Sequence, residues 1–196
     1  PLPDVVRLGR LVDTMYTTCL PEVETYRAHG VGQVLYLPQG MDPEVDRPAP
    51  EVPERYRCEV AFIGNGRHPH RLPVLRAVAA AARLQVRGPD WDPAAGLPVA
   101  GGPLYGVEYA RAVGGAAISL GANAEAGMAR LIGSVSNRMW KVMGCGGFFL
   151  GEWVEGMAAF AREGEHCAWY RTPDEAVARK AVSREAESGQ VPAAVL

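Results

Sequence analysis

Ser136-Asn137-Arg138-Met139-Trp140-Lys141-Val142-Met143-Gly144-Cys145-Gly146-Gly147-Phe148-Phe149-Leu150 joins two kinds of structure in one short run. The first part reads as a short helix that starts on the hydroxyl cap of Ser136 and stops on glycines. An apolar strand, Phe148-Phe149-Leu150, follows at once. Arg138 and Lys141 place two cations in the first two turns of this helix. The N-terminus of a helix carries partial positive charge, so cations there are unfavourable unless an anion joins them. Free backbone N–H groups, the Ser136 hydroxyl, Arg138 and Lys141 together make a phosphate cradle. The rival reading is a surface amphipathic helix with solvated charges. Lys141 adds weight to the first: only it and Lys180 are lysines, and the other basic residues are all arginines.

The same alternation extends outward from this run. Upstream, Glu59–Gly64 reads as a buried strand, Asn65–His70 as a polar loop and Arg71–Arg83 as an alanine-rich helix with an apolar stripe. Leu84–Gly88 is the next strand, followed by a loop rich in glycine and proline. Glu108–Gly114 then reads as helix and Ala116–Gly121 as strand. Downstream come a helix over Gly156–Arg162, a short strand His166–Tyr170 and a helix that begins at Thr172. Strands and helices alternating with short loops predict a parallel sheet covered on both faces. Ligands of such sheets sit at the carboxyl ends of the strands. Gly64, Gly88, Gly121 and Gly151 each follow a strand there and line one crevice. Nearer the N-terminus, Asp13–Thr18 and Gln33–Pro38 read as strands around a helix, Pro21–His29, which Gly30 ends. Met41–Glu54 carries four prolines and several acids, and reads as a linker. The best domain boundary lies there, dividing residues 1–50 from 51–196.

Bulk properties set the bounds. A chain of 196 residues buries one good core, or one domain and part of another. A net charge of −2 without a basic tract argues against nucleic acid held by its phosphates. No segment approaches a membrane span, and no signal pattern opens the chain, so a cytoplasmic location is expected. Pro1 in place of Met suggests a fragment of a longer protein. Cys19, Cys58, Cys145 and Cys167 are widely spread, which argues against a zinc ribbon or disulfide scaffold and for buried thiols. His166 beside Cys167 makes a cysteine nucleophile a remote option, since neighbours on a strand face opposite ways.

Other candidate positions carry two readings each. Gly64-Asn65-Gly66 has the context for amides facing a phosphate, yet lacks the third glycine of a dinucleotide fingerprint, and a tight turn explains it equally. Arg71 repeats the pattern of a cation at a helix start. His68-Pro69-His70 has no carboxylate or cysteine at matching spacing, so no metal site is expected. Trp91, Tyr105 and Trp140 suit stacking on a base, although core packing is the commoner use. Glu152, just beyond a strand, suits sugar hydroxyls or simple exposure.

These pieces in their order resemble the CgeB-type, spore-maturation-like branch of the group 1 glycosyltransferases. The features are Tyr36-Leu37-Pro38-Gln39-Gly40-Met41-Asp42-Pro43, Val60-Ala61-Phe62-Ile63-Gly64, an Arg-led helix, Val86-Arg87-Gly88-Pro89-Asp90-Trp91, and Asn137-Arg138 running into Cys145-Gly146-Gly147-Phe148. The resemblance spans about Asp13 to the helix after Thr172. It implies a GT-B architecture of two Rossmann-like domains, with residues 1–50 the tail of the acceptor domain and the rest most of the donor domain. It further implies a nucleotide-diphosphate sugar as donor, an unknown acceptor and neither metal nor other cofactor. Gly64, Gly66, Arg71, Gly88, Ser136, Asn137, Arg138, Lys141, Gly146, Gly147 and Glu152 are then the donor-binding set, with no catalytic base assigned. Lys141 departs from the family, whose members commonly place a ribose-binding glutamate there. The C-terminal closing helices and most of the acceptor domain are expected to be missing, so this chain alone is expected to bind rather than catalyse. A non-catalytic nucleotide-binding or surface-layer module on the same fold is the alternative. A receiver- or flavodoxin-like domain fits the alternation but lacks the acidic pocket or flavin loop.

Overall fold

The computed structural model describes residues 3–165 and 167–186. Six strands pair in parallel in the order β5-β4-β3-β6-β7-β8, where β3 is Cys58–Ile63, β4 Leu84–Arg87, β5 Val99–Gly101, β6 Ala116–Gly121, β7 Phe149–Glu152 and β8 Cys167–Tyr170. The helices between them are α3 (Leu72–Ala81), α4 (Gly106–Gly114), α5 (Asn137–Gly144) and, after β8, α6 (Pro173–Ala186). This is the Rossmann-like, doubly covered parallel sheet that the alternation predicts.

Both faces are buried because successive strand side chains point to opposite sides. On one face Val60, Phe62, Val86, Ile118, Leu120 and Leu150 meet Leu75 and Val78 of α3 and Ala176 of α6. On the other, Phe149, Cys167 and Trp169 meet Tyr109 and Val113 of α4 with Met139 and Val142 of α5. Phe149 and Leu150 divide between the two cores, so a slip of one residue would send each into the wrong core. Register is fixed by Val60 opposite Leu84 and Ile118, and by Leu120 opposite Leu150.

A smaller unit precedes the sheet. α1 (Pro3–Gly9), β1 (Thr14–Thr17), α2 (Glu22–Ala28) and β2 (Gln33–Tyr36) build a two-stranded parallel sheet with its own cluster of Val6, Val23, Tyr26, Val31 and Val34. Residues 37–53 connect the two sheets without helix or strand, as the prolines predict.

Three differences from the sequence reading have physical causes. The helix expected over Gly156–Arg162 is a single 3-10 turn, Met157–Ala159. Gly156 enters it with φ +85°, and Met157 and Ala161 are drawn into the second core, so tertiary packing overrides a weak local preference. Strand β5 forms within the glycine- and proline-rich loop; it lies at the sheet's edge, where Pro98 removes no inner ladder bond. Helix α1 was not anticipated. His166 and the last residues, 187–196, lie outside the described residues.

The entry to the sheet is tied by Glu108 of α4. Its carboxylate accepts from the Tyr56 hydroxyl, Arg55 and Arg111, which hold it down to about 2 against an ordinary 4.5, the Tyr56 bond being the largest cause. A carboxylate with a depressed folded pKa contributes stability above its unfolded value that is lost as pH falls towards the folded one. Thermal melts at graded pH should show wild type losing stability between pH 4.5 and about 2 more steeply than Glu108→Gln. Equal slopes would mean that Glu108 does not carry this tie.

Candidate functional site

The carboxyl ends of the strands form a closed rim. The Gly64 amide donates to the Arg87 carbonyl at 2.8 Å, and the Gly88 amide to the Gly101 carbonyl at 3.0 Å. Gly88 has φ +138°, and a Cβ there would lie 2.0 Å from the Gly64 carbonyl oxygen, so only glycine fits. Gly121 and Gly151 face each other in register one strand further on.

Two guanidinium groups reach this rim from different helices. Arg138, in the first turn of α5, donates from Nε to the Ile63 carbonyl at 3.1 Å and from Nη1 to the Ala122 carbonyl at 3.4 Å. Arg71, in the turn before α3, donates from Nη1 to the Asn65 carbonyl at 2.9 Å and from Nε to the Asn123 carbonyl at 3.3 Å. Both lie over the Phe62 ring, at 4.8 and 5.8 Å from its centroid. Gly64 makes room for this, since a Cβ there would fall 2.7 Å from Arg138 Nη2.

Neither arginine forms an ion pair with a carboxylate of the described residues. Only two charged residues among these are fully buried, Asp46 and Arg71; Asp46 has Lys141 for a partner at 3.3 Å, and Arg71 has none. Burial, with repulsion from Arg138 second, lowers Arg71 to about 10, and burial lowers Arg138 as well. A buried cation without a counter-ion costs several kcal/mol unless an anion joins it. The nearest acid, Glu152, is committed elsewhere: Oε1 is 2.8 Å from His70 Nε2, and Oε2 accepts from the Asn123 amide at 2.8 Å.

Beside Arg138 lies a shallow, open cleft lined by Gly121, Ala122, Asn123, Ser136, Arg138 and Glu152 over Met139, Phe149 and Met157. The Asn123 side-chain nitrogen beside it is buried with no hydrogen-bond partner among the described residues. A cation and an unpaired amide donor at a small cleft suit an anion bearing several oxygens.

The structure therefore brings together Gly64, Arg71, Ser136, Arg138 and Glu152. Gly88 lies in the rim against Gly64 and Asn137 next to Arg138, while Gly66, Gly146, Gly147 and Lys141 serve other contacts. Gly66 packs against the chain at Asp90 and Trp91, where a Cβ would meet the Asp90 carbonyl oxygen at 2.4 Å, and with Gly88 it closes the rim. Gly146 and Gly147 follow the other end of α5, about 12 Å from Arg138 at the rise of an α-helix. There Gly147 lets Val113 approach closely. Lys141 stands in the last turn of α5, salt-bridged to Asp46 and over the Tyr109 ring. The expected cradle of free amides is also filled: the Asn137 amide donates to Gln39 Oε1 at 2.6 Å, the Arg138 amide to the Ser136 hydroxyl and the Met139 amide to the Ser136 carbonyl. The cations, not the helix amides, are the open donors of this site.

Asn123 and Asp46 were not singled out by sequence; His70 was weighed there only as a metal ligand and Gln39 only as part of the resembling motif. Asn123 alone had a signal, standing two residues past a strand-end glycine. All four cysteines are buried free thiols, and burial pushes Cys167 up to about 12, which leaves it protonated and unreactive. No group of three or more His, Cys, Asp or Glu among the described residues is placed to hold a metal ion. No helix of the described residues is long and apolar enough to cross a membrane.

A family model described as glycosyl transferase-like matches residues 68–191. No curated protein matches the sequence. Solved GT-B glycosyltransferases share the fold. HepE from Anabaena in complex with UDP-glucose superposes with a TM-score of 0.66 at 10% identity, covering 94% of this chain and 58% of that one. Sucrose-phosphate synthase from Thermosynechococcus elongatus gives 0.61 at 16%, covering 94% and 51%. AviGT4, a glycosyltransferase involved in avilamycin A biosynthesis, gives 0.54 at 20%, covering 90% and 60%. The chain thus spans little more than half the length of these proteins.

The Lys141–Asp46 pair ties α5 to the segment between the sheets, and its strength is measurable. Lys141→Met leaves Asp46 buried and unpaired, and should cost about 2–3 kcal/mol of unfolding free energy. Asp46→Asn with Lys141→Met should recover most of that. A double-mutant cycle with no coupling would show the pair to be incidental.

Proposed function

The chain belongs to the glycosyl transferase-like family, and we propose that it is the donor-binding part of a glycosyltransferase that takes a sugar from a nucleotide-diphosphate sugar. The observation that carries this reading is the pair Arg71 and Arg138, held over one ring without an ion pair among the described residues, with Arg138 lining a small cleft. HepE, which shares the fold, holds UDP-glucose in its crystal structure. In this reading the diphosphate lies against Arg138, with Arg71 behind it and the Asn123 amide and Ser136 hydroxyl alongside. Glu152, held by His70, turns towards ribose or sugar hydroxyls.

The chemistry asked of this half is electrostatic. As the bond between the anomeric carbon and the diphosphate oxygen breaks, its electron pair leaves with the diphosphate, and fixed cations stabilise that charge. The acceptor's oxygen forms the new bond to the anomeric carbon and loses its proton to a base outside this donor half. With two arginines meeting the leaving group, this step calls for no metal. Residues 1–50 are read as the tail of the acceptor domain and 51–196 as the donor domain, since the two sheets share no strand pairing. The CgeB-type branch and a cytoplasmic setting remain part of the same proposal. Lys141 has a different role from the diphosphate contact expected of it, because Asp46 already engages its charge. That ion pair, at the place of a ribose-binding glutamate in the family it resembles, favours one second reading: a nucleotide-binding module that performs no transfer.

Calorimetric titration with UDP, GDP and dTDP tests the site. We expect micromolar-to-millimolar binding that Arg138→Met weakens by about 10- to 100-fold, in line with the ~1.5–3 kcal/mol of a hydrogen bond to a charged group. The same variant should melt within a few degrees of wild type, since it removes an unpaired buried charge. Unchanged affinity in Arg138→Met would overturn the assignment. Sugar-donor hydrolysis by a longer form of the protein would exclude the module without transfer.

A further inference from the structure

We infer that His70 is a positioning residue of the donor site: by holding Glu152 it keeps that carboxylate from pairing with Arg71 and Arg138, and so keeps both cations open to an anion. This rests on the donor reading above. His70 stands in the single 3-10 turn Pro69–Arg71, and its Nε2 lies 2.8 Å from Glu152 Oε1. No metal-binding cluster of the described residues includes it. Its one polar partner in the site is the acid.

That acid lies within reach of both arginines. The Asn123 amide donates to Glu152 Oε2 at 2.8 Å, while the Asn123 carbonyl accepts from Arg71 Nε at 3.3 Å. Acid and cation therefore meet the same residue, yet the ion-pair partner of Glu152 is His70. Arg71 still feels the carboxylate, whose attraction works against the effect of burial on its pKa. Arg138 lines the same cleft as Glu152. The Glu152 side chain is only 15% exposed, so water offers its charge little alternative. An enclosed cation gains from any counter-ion within reach. Released from His70, the carboxylate would turn to the arginines, and an arriving diphosphate would have to displace it.

The local sequence delivers cation and clamp together. Pro69 fixes φ at the start of the turn, and His70 and Arg71 follow at consecutive positions. One turn thus sends Arg71 to Asn65 and Asn123, at the ends of β3 and β6, and His70 to the end of β7. An imidazole suits the task, because a protonated ring nitrogen donates to a carboxylate whether the ring is neutral or charged. With His70 on one oxygen and the Asn123 amide on the other, the carboxylate is fixed at two points. Supporting hydrogen bonds of this kind are what hold a binding group in one orientation.

The test is calorimetric titration of the 196-residue chain with UDP and inorganic pyrophosphate. The proteins are wild type, His70→Ala, His70→Gln, Glu152→Gln and the double variant His70→Ala with Glu152→Gln. His70→Ala should weaken both ligands by about tenfold, while His70→Gln, which keeps a donor at similar reach, binds like wild type. Glu152→Gln has no charge with which to compete, so adding His70→Ala to it should change pyrophosphate affinity little. A histidine that only props the fold would weaken binding equally in both backgrounds, and that result would overturn the inference. So would pyrophosphate binding as tightly to His70→Ala as to wild type, which leaves the donor site standing. Loss of pyrophosphate binding in Glu152→Gln alone would overturn it as well, because the carboxylate would then be serving the anion. Circular dichroism checks folding, and His70→Leu, which also lacks a donor, replaces His70→Ala if that variant does not fold. If folded wild type bound neither ligand, the donor reading itself would fall, and this inference with it.

Discussion

Two guanidinium groups share one phenyl ring at the end of β3, and neither forms an ion pair with a carboxylate of the described residues. Much of the structure is arranged around this constraint. Arg138 and Arg71 spend their donors on main-chain carbonyls of Ile63, Ala122, Asn65 and Asn123, which orient each head without neutralising it. Gly64 must lack a side chain for Arg138 to reach its place. Glu152, the acid that would otherwise quench the pair, is held by His70 and the Asn123 amide. Burial depresses both pKa values, and repulsion from Arg138 lowers that of Arg71 further.

The treatment of Asp46 and Lys141 shows the contrast. There a buried carboxylate receives a cation from α5 and the charge is closed within the protein. Gln39 likewise fills the first amide of the same helix. Both contacts come from the segment between the two sheets, so α5 is fixed at both ends by residues 39–46. The helix is thereby held rigid while Arg138, projecting from its first turn, keeps an unneutralised charge towards the cleft.

The strand and helix order was legible because each element carries its own period and stop signal. β3, β4, β6 and β8 fall within a residue or two of expectation, and Ser136 caps α5 as a serine before a helix should. What failed depended on contacts distant in sequence. The turn at Met157 and the edge strand β5 are set by packing and pairing with segments that no local pattern records. The site was legible where it rested on charge and position: Arg71 and Arg138 stood out as cations at helix starts. It was misread where one residue type has two uses. Gly146 and Gly147 belong to a helix end that meets Val113, and Lys141 to an ion pair with a residue about a hundred positions away. Asn123 had only its place two residues past a strand-end glycine; its importance is that of an unpaired buried donor, which only the folded chain reveals.

The central claim is that Arg71 and Arg138 await an anion supplied by a ligand. A crystal structure of this chain soaked with UDP tests it most directly. The account predicts diphosphate density in the cleft between Arg138, Ser136 and Asn123, with a phosphate oxygen within hydrogen-bond reach of the Arg138 guanidinium. Diphosphate bound at another part of the rim, with Arg138 untouched, would contradict it.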